Sequence, residues 1–198
     1  EPLADFIDFF SLGEGEESTV EIVSCYQTAK KAGWSKAEFL KAVSRIEGVY
    51  VPSFYEHTYH EDGTLAAITP LDGAPERVTK RIMQDMDRAY WPEKQIVPST
   101  EIVHDRANLE VFRGCIRGCR FCQAGFCYRP VRSKHADVLY EQAVQALEDS
   151  GSSEITMASL STSDYKYLPE LADKLAAARK AGAEKVLEKN RAVEAAYN

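Results

Sequence analysis

Residues 109–122 read LEVFRGCIRGCRFC, a short apolar run followed at once by a loop of cysteine, glycine and arginine. The run Leu109–Phe112 has the length and character of a buried strand. The cysteines that follow, Cys115, Cys119 and Cys122, have the spacing C-x3-C-x2-C. We therefore expect a strand that delivers three thiols into one compact loop.

The chemistry of these cysteines favours a metal cluster over unligated thiols. Thiolates are the protein ligands of iron–sulfur clusters. Three of them within eight residues can hold one face of a cubane and leave one iron without a protein ligand. Gly114 and Gly118 allow the chain to fold tightly around the metal and to direct backbone N–H groups towards sulfur.

A second thiolate-bound metal is also compatible with the loop. Cys127 could act as a fourth ligand, which would give a zinc- or iron-binding module of Cys115, Cys119, Cys122 and Cys127 without catalytic activity. Structural zinc sites usually contain two separated C-x2-C pairs, and this chain lacks them. Plant-type 2Fe–2S proteins have x4 as the first gap, where this chain has x3. The spacing favours the three-cysteine cluster and keeps the module as the alternative.

The elements after the loop predict an α/β fold. An amphipathic helix is expected over 136–148, a strand over 154–158, and a further helix from about Asp164. This order of strand, loop, helix, strand and helix is typical of a parallel sheet or barrel. The Ala/Lys/Glu-rich stretch 172–198 reads as helix throughout, so a closed barrel would be incomplete here.

The first part of the chain also has α/β character. We expect a strand over 5–13, whose partner strands would lie upstream of residue 1, and a helix over 18–31. A second helix is expected to begin after Ser35, to form a capping box with Glu38, and to end at Gly48.

A connecting region separates these two parts. Asp62-Gly63 lies between two β-rich runs, which predicts a hairpin over 49–70. Residues 71–100 read as a connecting arm that contains a short amphipathic stretch, Val78–Met86. The GEGEE turn at 13–17 carries three acids and no lysine, so its charge excludes a phosphate-binding loop.

Charge and cysteine content limit the classes of function. The net charge is −7, which gives no general electrostatic case for binding nucleic acid or a membrane. No stretch reaches the ~18–20 apolar residues of a membrane span. Five cysteines, four of them clustered, argue against a secreted disulfide scaffold and for a reducing, cytoplasmic setting.

The cysteine loop lies in a local excess of positive charge. The stretch 106–134 contains one acid, Glu110, and seven cations. The cations are Arg106, Arg113, Arg117, Arg120, Arg129, Arg132 and Lys134. They could be exposed side chains that flank a loop, compensation for a thiolate-rich cluster, or a contact for RNA, which a salt-dependent affinity would reveal.

The C-x3-C-x2-C spacing, with Phe121 directly before the third cysteine, resembles the radical S-adenosylmethionine (SAM) superfamily. The wider run 101–132, EIVHDRANLEVFRGCIRGCRFCQAGFCYRPVR, resembles an uncharacterised branch whose members carry an N-terminal cobalamin-binding-type domain. Residues 1–20 are similar to the end of that domain. The segment SLSTSDY, 159–165, is similar to the segment after the second barrel strand.

The resemblance implies a cofactor and its chemistry. Cys115, Cys119 and Cys122 would bind a 4Fe–4S cluster whose fourth iron is chelated by the amino and carboxylate groups of SAM. Reductive cleavage of SAM would release methionine and a 5′-deoxyadenosyl radical that abstracts hydrogen from a substrate. Phe121 would lie against the adenine, mainly through its backbone. Ser159 and Ser161 stand where the superfamily often has a Gly-rich segment for the SAM amino group.

The resemblance also implies a division of the chain. Residues 1–48 would be the C-terminal remnant of a Rossmann-like cobalamin-binding-type domain, 49–100 a hairpin and connecting arm, and 101–198 the first βα units of a partial radical SAM (β/α) barrel. The lower-ligand motif Asp-x-His-x-x-Gly is absent from the chain, so cobalamin is expected only in a full-length parent.

The implied partners are SAM, a substrate that the sequence does not identify, and an external electron donor such as flavodoxin or ferredoxin. The chain reads as an internal fragment of such an enzyme, and no catalytic residue can be assigned. With an incomplete barrel, we expect weak SAM affinity and little or no turnover by these 198 residues alone.

Overall fold

The structure is a computed structural model, and it describes residues 3–71, 73–100, 102–104, 106–152 and 154–180. The chain divides into two compact units, Glu1–Gln84 and Asp85–Asn198. Each unit contains its own cluster of buried apolar side chains. The division into 1–48, 49–100 and 101–198 stays a prediction.

The first unit begins with a short antiparallel pair of strands. Strand β1, Phe10–Ser11, pairs with β2, Val49–Tyr50. A strand is thus present within the predicted range 5–13, but it is shorter than expected, and its observed partner β2 lies downstream, where partners upstream of residue 1 were expected. The backbone turns locally before β1, since the N–H groups of Phe6 and Ile7 both donate to the Leu3 carbonyl. A short apolar run does not by itself distinguish a turn from a strand.

Two helices connect β1 to β2. Helix α1 spans Gly15–Ala32 and helix α2 spans Lys36–Val43. The predicted capping box is confirmed: the Ser35 N–H donates to the Glu38 carboxylate at 2.7 Å, and the Glu38 N–H donates to Ser35 Oγ at 3.3 Å.

The predicted end of α2 at Gly48 is wrong, because the helix stops five residues earlier, at Val43. The Ser44 hydroxyl donates to the Lys41 carbonyl at 3.1 Å, a local bond of the kind that competes with helix continuation. The Gly48 carbonyl accepts the Leu12 N–H at 2.7 Å, so Gly48 already belongs to the pairing of β1 with β2. The buried core of this unit consists of Leu40, Val43, Val49 and Val51.

Arg81 extends the edge of β1. Its N–H donates to the Leu12 carbonyl and its carbonyl accepts the Glu14 N–H, each at 2.9 Å. The Arg81 guanidinium donates to Glu17 at 2.6 Å and to Glu21 at 3.0 Å. Glu17, one of the three acids of the GEGEE turn, thus has a structural partner, and Arg81 ties helix α1 to the β1 edge.

The predicted hairpin is confirmed. Strand β3, Tyr55–Tyr59, pairs antiparallel with β4, Leu65–Pro70, and the register is interrupted between Thr58 and Tyr59. In the connecting turn the Asp62 carboxylate accepts the Thr64 N–H at 2.9 Å. This Asx-type bond explains why an Asp-Gly pair marks the turn.

The second unit contains a parallel βαβ arrangement. Strand β5, Ala107–Glu110, pairs in parallel with β8, Ile155–Ala158, and the long helix of the intervening segment is Ala136–Ser150. The prediction of strand, helix and strand in this order is confirmed. The described residues form small sheets and no closed barrel, so the partial-barrel and Rossmann-like assignments stay predictions. The buried core consists of Leu109, Val111, Phe112, Ala136, Leu139, Ala143, Tyr165 and Leu171.

The helix predicted from about Asp164 begins later. A 3₁₀ turn spans Thr162–Asp164, and α-helix covers 168–180 among the described residues. Tyr165 interrupts the helix because its ring is buried and its hydroxyl donates to the Lys134 carbonyl at 2.9 Å. The remainder of the predicted helical tail, 181–198, lies outside the described residues. None of the helices in the described ranges is long and apolar enough to cross a membrane.

Asp87 caps the helix Ala136–Ser150 from a separate segment. Its carboxylate accepts the His135 N–H at 2.7 Å and also bonds His135 Nδ1. Burial acts to raise the pKa of Asp87. The hydrogen bonds from His135 and the positive charges of His135 and Lys134 outweigh burial and hold this pKa below its ordinary value of 3.8.

We expect Asp87→Asn to lower the free energy of unfolding by about 1 kcal/mol at neutral pH, the scale of a lost N-terminal cap. A carboxyl with a depressed folded pKa stabilises the fold above its unfolded pKa, and this contribution is lost as pH falls through the folded pKa. The difference between the wild type and the variant should therefore shrink below pH 3.8. Urea unfolding across pH 3 to 7 measures this difference, with Glu93→Gln, at an exposed residue, as the control. A difference that is equal at pH 3 and pH 7 would contradict the capping role of the Asp87 carboxylate.

Candidate functional site

The cysteine loop is closed at its base by a two-residue ladder that the sequence did not predict. Strand β6, Phe112–Arg113, pairs antiparallel with β7, Arg132–Ser133. The two ends of the loop 114–131 therefore lie side by side at the pairing of β6 with β7, which we call the neck of the loop. A strand of two residues has too little periodicity to be recognised from sequence.

Gly114 makes the close approach at the neck possible. Its φ is +93°, a conformation that L side chains rarely adopt. A Cβ at this position would lie 2.7 Å from the Tyr128 carbonyl oxygen and 3.0 Å from that of Pro130. The two ends of the loop thus pass each other with room for a hydrogen atom only.

A short helix packs against the cysteine turn inside the loop. Helix α3 spans Ala124–Cys127. A Cβ on its Gly125 would lie 3.7 Å from the Cys115 carbonyl oxygen and 3.8 Å from the Gly118 Cα. The segment 115–118 and α3 therefore pass close to each other, with room for about one methyl group between them.

The structure places the three predicted ligands on this loop without drawing them together. Cys115 and Cys122 are half-buried, Cys119 and Cys127 are exposed, and none forms a disulfide. The Cys122 N–H donates to the Cys119 carbonyl at 3.1 Å, which closes the turn between the second and third cysteine. Within the described ranges, no three His, Cys, Asp or Glu side chains form a ready-made metal site.

Phe121, expected to lie against adenine, projects from the loop with 93% of its surface exposed. Ile116 and Phe126 are also exposed. The Arg129 guanidinium lies 5.3 Å from the centre of the Phe126 ring, within the range of a cation–π contact. The loop therefore exposes apolar side chains, and one of them, Phe126, lies next to a cation.

An ion pair joins the cysteine loop to the segment after β8. Arg117 Nε donates to Asp164 Oδ2 at 2.8 Å, and Arg117 Nη2 donates to Asp164 Oδ1. Ser161 Oγ donates to the same carboxylate at 2.7 Å. Ser159 Oγ lies 2.8 Å from Thr162 Oγ1. The structure thus brings Ser161, a predicted site residue, next to the loop through Asp164, which sequence reasoning missed.

The charges of this pair stabilise each other. Hydrogen bonds from Arg117 and then from Ser161 lower the pKa of Asp164 below its ordinary range. The bond to Asp164 is the main cause that raises the pKa of Arg117, and the Cys115 and Cys119 thiols act in the same direction.

Several other cations of the 106–134 stretch have structural roles. The Arg113 guanidinium donates to both carboxylate oxygens of Glu110, each at 2.8 Å. Lys134 is buried, and its ammonium group donates to the Gln142 side chain at 3.0 Å. Arg120 is exposed in the loop. The local positive charge is thus partly neutralised within the fold.

Comparison with curated proteins finds two relatives that the chain covers in part. It is 29% identical to the uncharacterized protein MJ0966 of Methanocaldococcus jannaschii over 174 residues, 86% of this chain and 31% of that protein. It is 29% identical to the threonylcarbamoyladenosine tRNA methylthiotransferase MtaB of Treponema pallidum over 104 residues, 52% of this chain and 21% of that protein. The chain thus spans less than a third of either relative. No solved structure gives a significant match.

A family model gives the second finding. Residues 1–52 match the model described as radical SAM proteins, N-terminal. The match lies in the first unit, outside the cysteine loop, and includes the residues 1–20 that resemble the end of an N-terminal domain. Together with the similarity to the methylthiotransferase, it relates this chain to the radical SAM superfamily.

Proposed function

We propose that this chain is the cluster-binding part of a radical SAM iron–sulfur enzyme, with Cys115, Cys119 and Cys122 as the ligands of a 4Fe–4S cluster. The observation that carries the proposal is the position of the loop. It follows the carboxyl end of a parallel strand, β5, and is closed at its base by β6 and β7. Cofactor loops of βα enzymes lie at this end of their strands.

The donor set fits such a cluster chemically. All three cysteines are free of disulfides, and thiolates are the usual ligands of iron–sulfur clusters. Cluster binding must draw the three thiols together, because the described residues contain no assembled metal site. The pairing of β6 with β7 holds the two ends of the loop, so we expect this step to rearrange the chain within 114–131.

When bound, a 4Fe–4S cluster supplies the electron for reductive cleavage of SAM to methionine and a 5′-deoxyadenosyl radical. The protein holds the sulfur ligands on one loop. Phe121, whose side chain is exposed beside Cys122, would lie against the adenine mainly through its backbone. Ser159 and Ser161 would face the SAM amino group from the segment after β8, although both hydroxyls are engaged with neighbouring side chains.

Anaerobic reconstitution with iron and sulfide tests the proposal. We expect the chain to bind about four iron and four sulfide ions, as in other 4Fe–4S proteins, and to change its absorption on addition of SAM. Alanine at Cys115, Cys119 or Cys122 should abolish the cluster, because each supplies one of the three ligands. Iron and sulfide assays with visible absorption give the measurement.

Cys127→Ser is the matched control, since Cys127 lies on the same loop and is exposed like Cys119. The proposal expects this variant to keep its cluster. Loss of metal in Cys127→Ser, or a colourless protein that holds only zinc on four thiolates, would instead establish the alternative module. The two outcomes are exclusive because a cubane with three protein ligands leaves Cys127 unused.

Substrate and partners are further proposals. The name of the Treponema relative gives that protein a tRNA substrate, and we propose RNA as the first substrate class to test here. Arg120, exposed on the loop beside Phe121, would contribute to a salt-dependent affinity for RNA. An external donor such as flavodoxin or ferredoxin would supply the electron.

A further inference from the structure

We propose that Arg117 is a positioning residue for the cluster, because its ion pair with Asp164 holds the centre of the cysteine turn against the segment after β8. The effect of Arg117 on cluster retention rests on the proposed function. The contact itself is a property of the protein without metal.

Hydrogen bonds to Ser161 orient Asp164 independently of Arg117. The carboxylate accepts the Ser161 hydroxyl at 2.7 Å, and the Asp164 N–H donates to the Ser161 carbonyl at 2.9 Å within the 3₁₀ turn. The Asp164 side chain is 19% exposed and that of Arg117 is 58% exposed. The acid is therefore the fixed partner, and the loop arginine is the group that it immobilises.

The segment that carries Asp164 is anchored to the neck. The next residue, Tyr165, stacks on Phe112 of β6 with ring centroids 6.4 Å apart. Its hydroxyl donates to the carbonyl of Lys134, the residue after β7. Asp164 thus has a defined position relative to both strands of the neck. The ion pair with Arg117 then restricts the position of the turn between Cys115 and Cys119.

Arg117 lies midway between Cys115 and Cys119 in sequence. The neck holds the ends of the loop, but it does not fix the chain between Cys115 and Cys119. A bidentate arginine–carboxylate contact restricts this segment in both distance and orientation. The guanidinium has five N–H donors, so the pair with Asp164 leaves others directed away from the carboxylate.

Hydrogen exchange of the metal-free chain tests the contact. Arg117→Gln and Asp164→Asn should each raise exchange in 114–131 by roughly two- to fivefold, the range that exposed ion pairs support. Arg120→Gln, a loop arginine without the Asp164 contact, should leave exchange unchanged. The exchanged pair Arg117→Asp with Asp164→Arg should restore protection. Single variants that behave like Arg120→Gln would overturn the proposal.

Iron content after anaerobic reconstitution and desalting tests the positioning role. Arg117→Gln should retain less than half of the iron that Arg120→Gln retains, and Arg117→Lys should recover part of it. The exchanged pair should not recover iron, because it places a carboxylate beside two thiolates. Equal iron retention in Arg117→Gln and Arg120→Gln would overturn the positioning role even if exchange changes.

The two readouts separate this inference from the proposed function. If the wild-type chain takes up no cluster, the proposed function fails, and with it the role of Arg117 in retention, while exchange still decides whether the contact exists. If the wild type holds a cluster that Arg117→Gln holds equally well, only the present inference fails.

Discussion

Replacing Gly114 with alanine is expected to open the neck of the cysteine loop and to abolish cluster uptake. The new Cβ would lie 2.7 Å from the Tyr128 carbonyl oxygen and 3.0 Å from the Val131 Cα. Both are backbone atoms, so no side-chain rotation relieves the contact. With the strain of a φ of +93°, the substitution should cost about 3 kcal/mol or more.

The consequence follows from the position of Gly114 next to β6. To accommodate a methyl group, the chain must separate the pairing of Phe112 with Ser133 and of Arg113 with Arg132. Phe112 belongs to the buried core of the second unit, so Gly114→Ala should lower the free energy of unfolding in urea. Iron content measures the effect on cluster uptake. Exchange of the metal-free protein should rise throughout 114–131.

Gly118→Ala is the matched control. Gly118 also has a positive φ, +61°, but a Cβ there would meet nothing within 4 Å. Alanine in this left-handed conformation costs about 1–2 kcal/mol without a steric conflict. We therefore expect Gly118→Ala to keep most of its iron. Equal iron content in both variants would show that the neck does not govern cluster uptake.

Gly13→Ala is expected to disrupt the first unit. The alanine Cβ would lie 2.0 Å from the Arg81 carbonyl oxygen and 2.8 Å from the Arg81 nitrogen, at a φ of +106°. The chain can relieve this overlap only by moving Arg81 away from β1, which breaks the bonds of Arg81 to Leu12 and Glu14. Loss of two backbone hydrogen bonds and added strain should destabilise the unit by about 3–5 kcal/mol.

The effect on the first unit can be measured separately from the second. Hydrogen exchange resolved by peptide should increase in α2 and β2, which contribute Leu40 and Val49 to the core of this unit. Gly33→Ala is the control, since Gly33 has a φ of +69° and open space around its Cβ position. If Gly13→Ala raises exchange no more than Gly33→Ala, the Arg81 contact does not support the unit.

The features that sequence predicted correctly depend on neighbouring residues. The capping box of Ser35 and Glu38 requires residues three apart, and the hairpin turn requires Asp62 and Gly63 side by side. Their geometry is set by local hydrogen bonds, so the local sequence is sufficient. The helix Ala136–Ser150 was likewise evident from its amphipathic pattern.

The features that sequence missed depend on distant residues. Strand β1 finds its partner about 40 residues away, at Val49–Tyr50, and Arg81 then extends the same edge. Helix α2 ends early because Gly48 is recruited to this pairing. Local propensity is overridden in such cases by contacts that only the folded chain supplies.

In the candidate site, too, local features were predictable from sequence and contacts between distant residues were not. The spacing of Cys115, Cys119 and Cys122 was sufficient to identify the loop and to suggest its chemistry, because it places three thiols within eight consecutive residues. The Asp164 carboxylate is 47 residues from Arg117 in sequence. No pattern in the chain pairs these two residues.

By itself, the sequence determined that this protein is related to radical SAM proteins, that four of its five cysteines lie in one short segment, and that a helix separates two strands. Only the tertiary structure decided how the loop is closed and what holds it. The physical reason is range: ligand spacing and helical periodicity act over a few residues. The neck at Gly114 and the pair of Arg117 with Asp164 form when folding brings remote segments within hydrogen-bond distance.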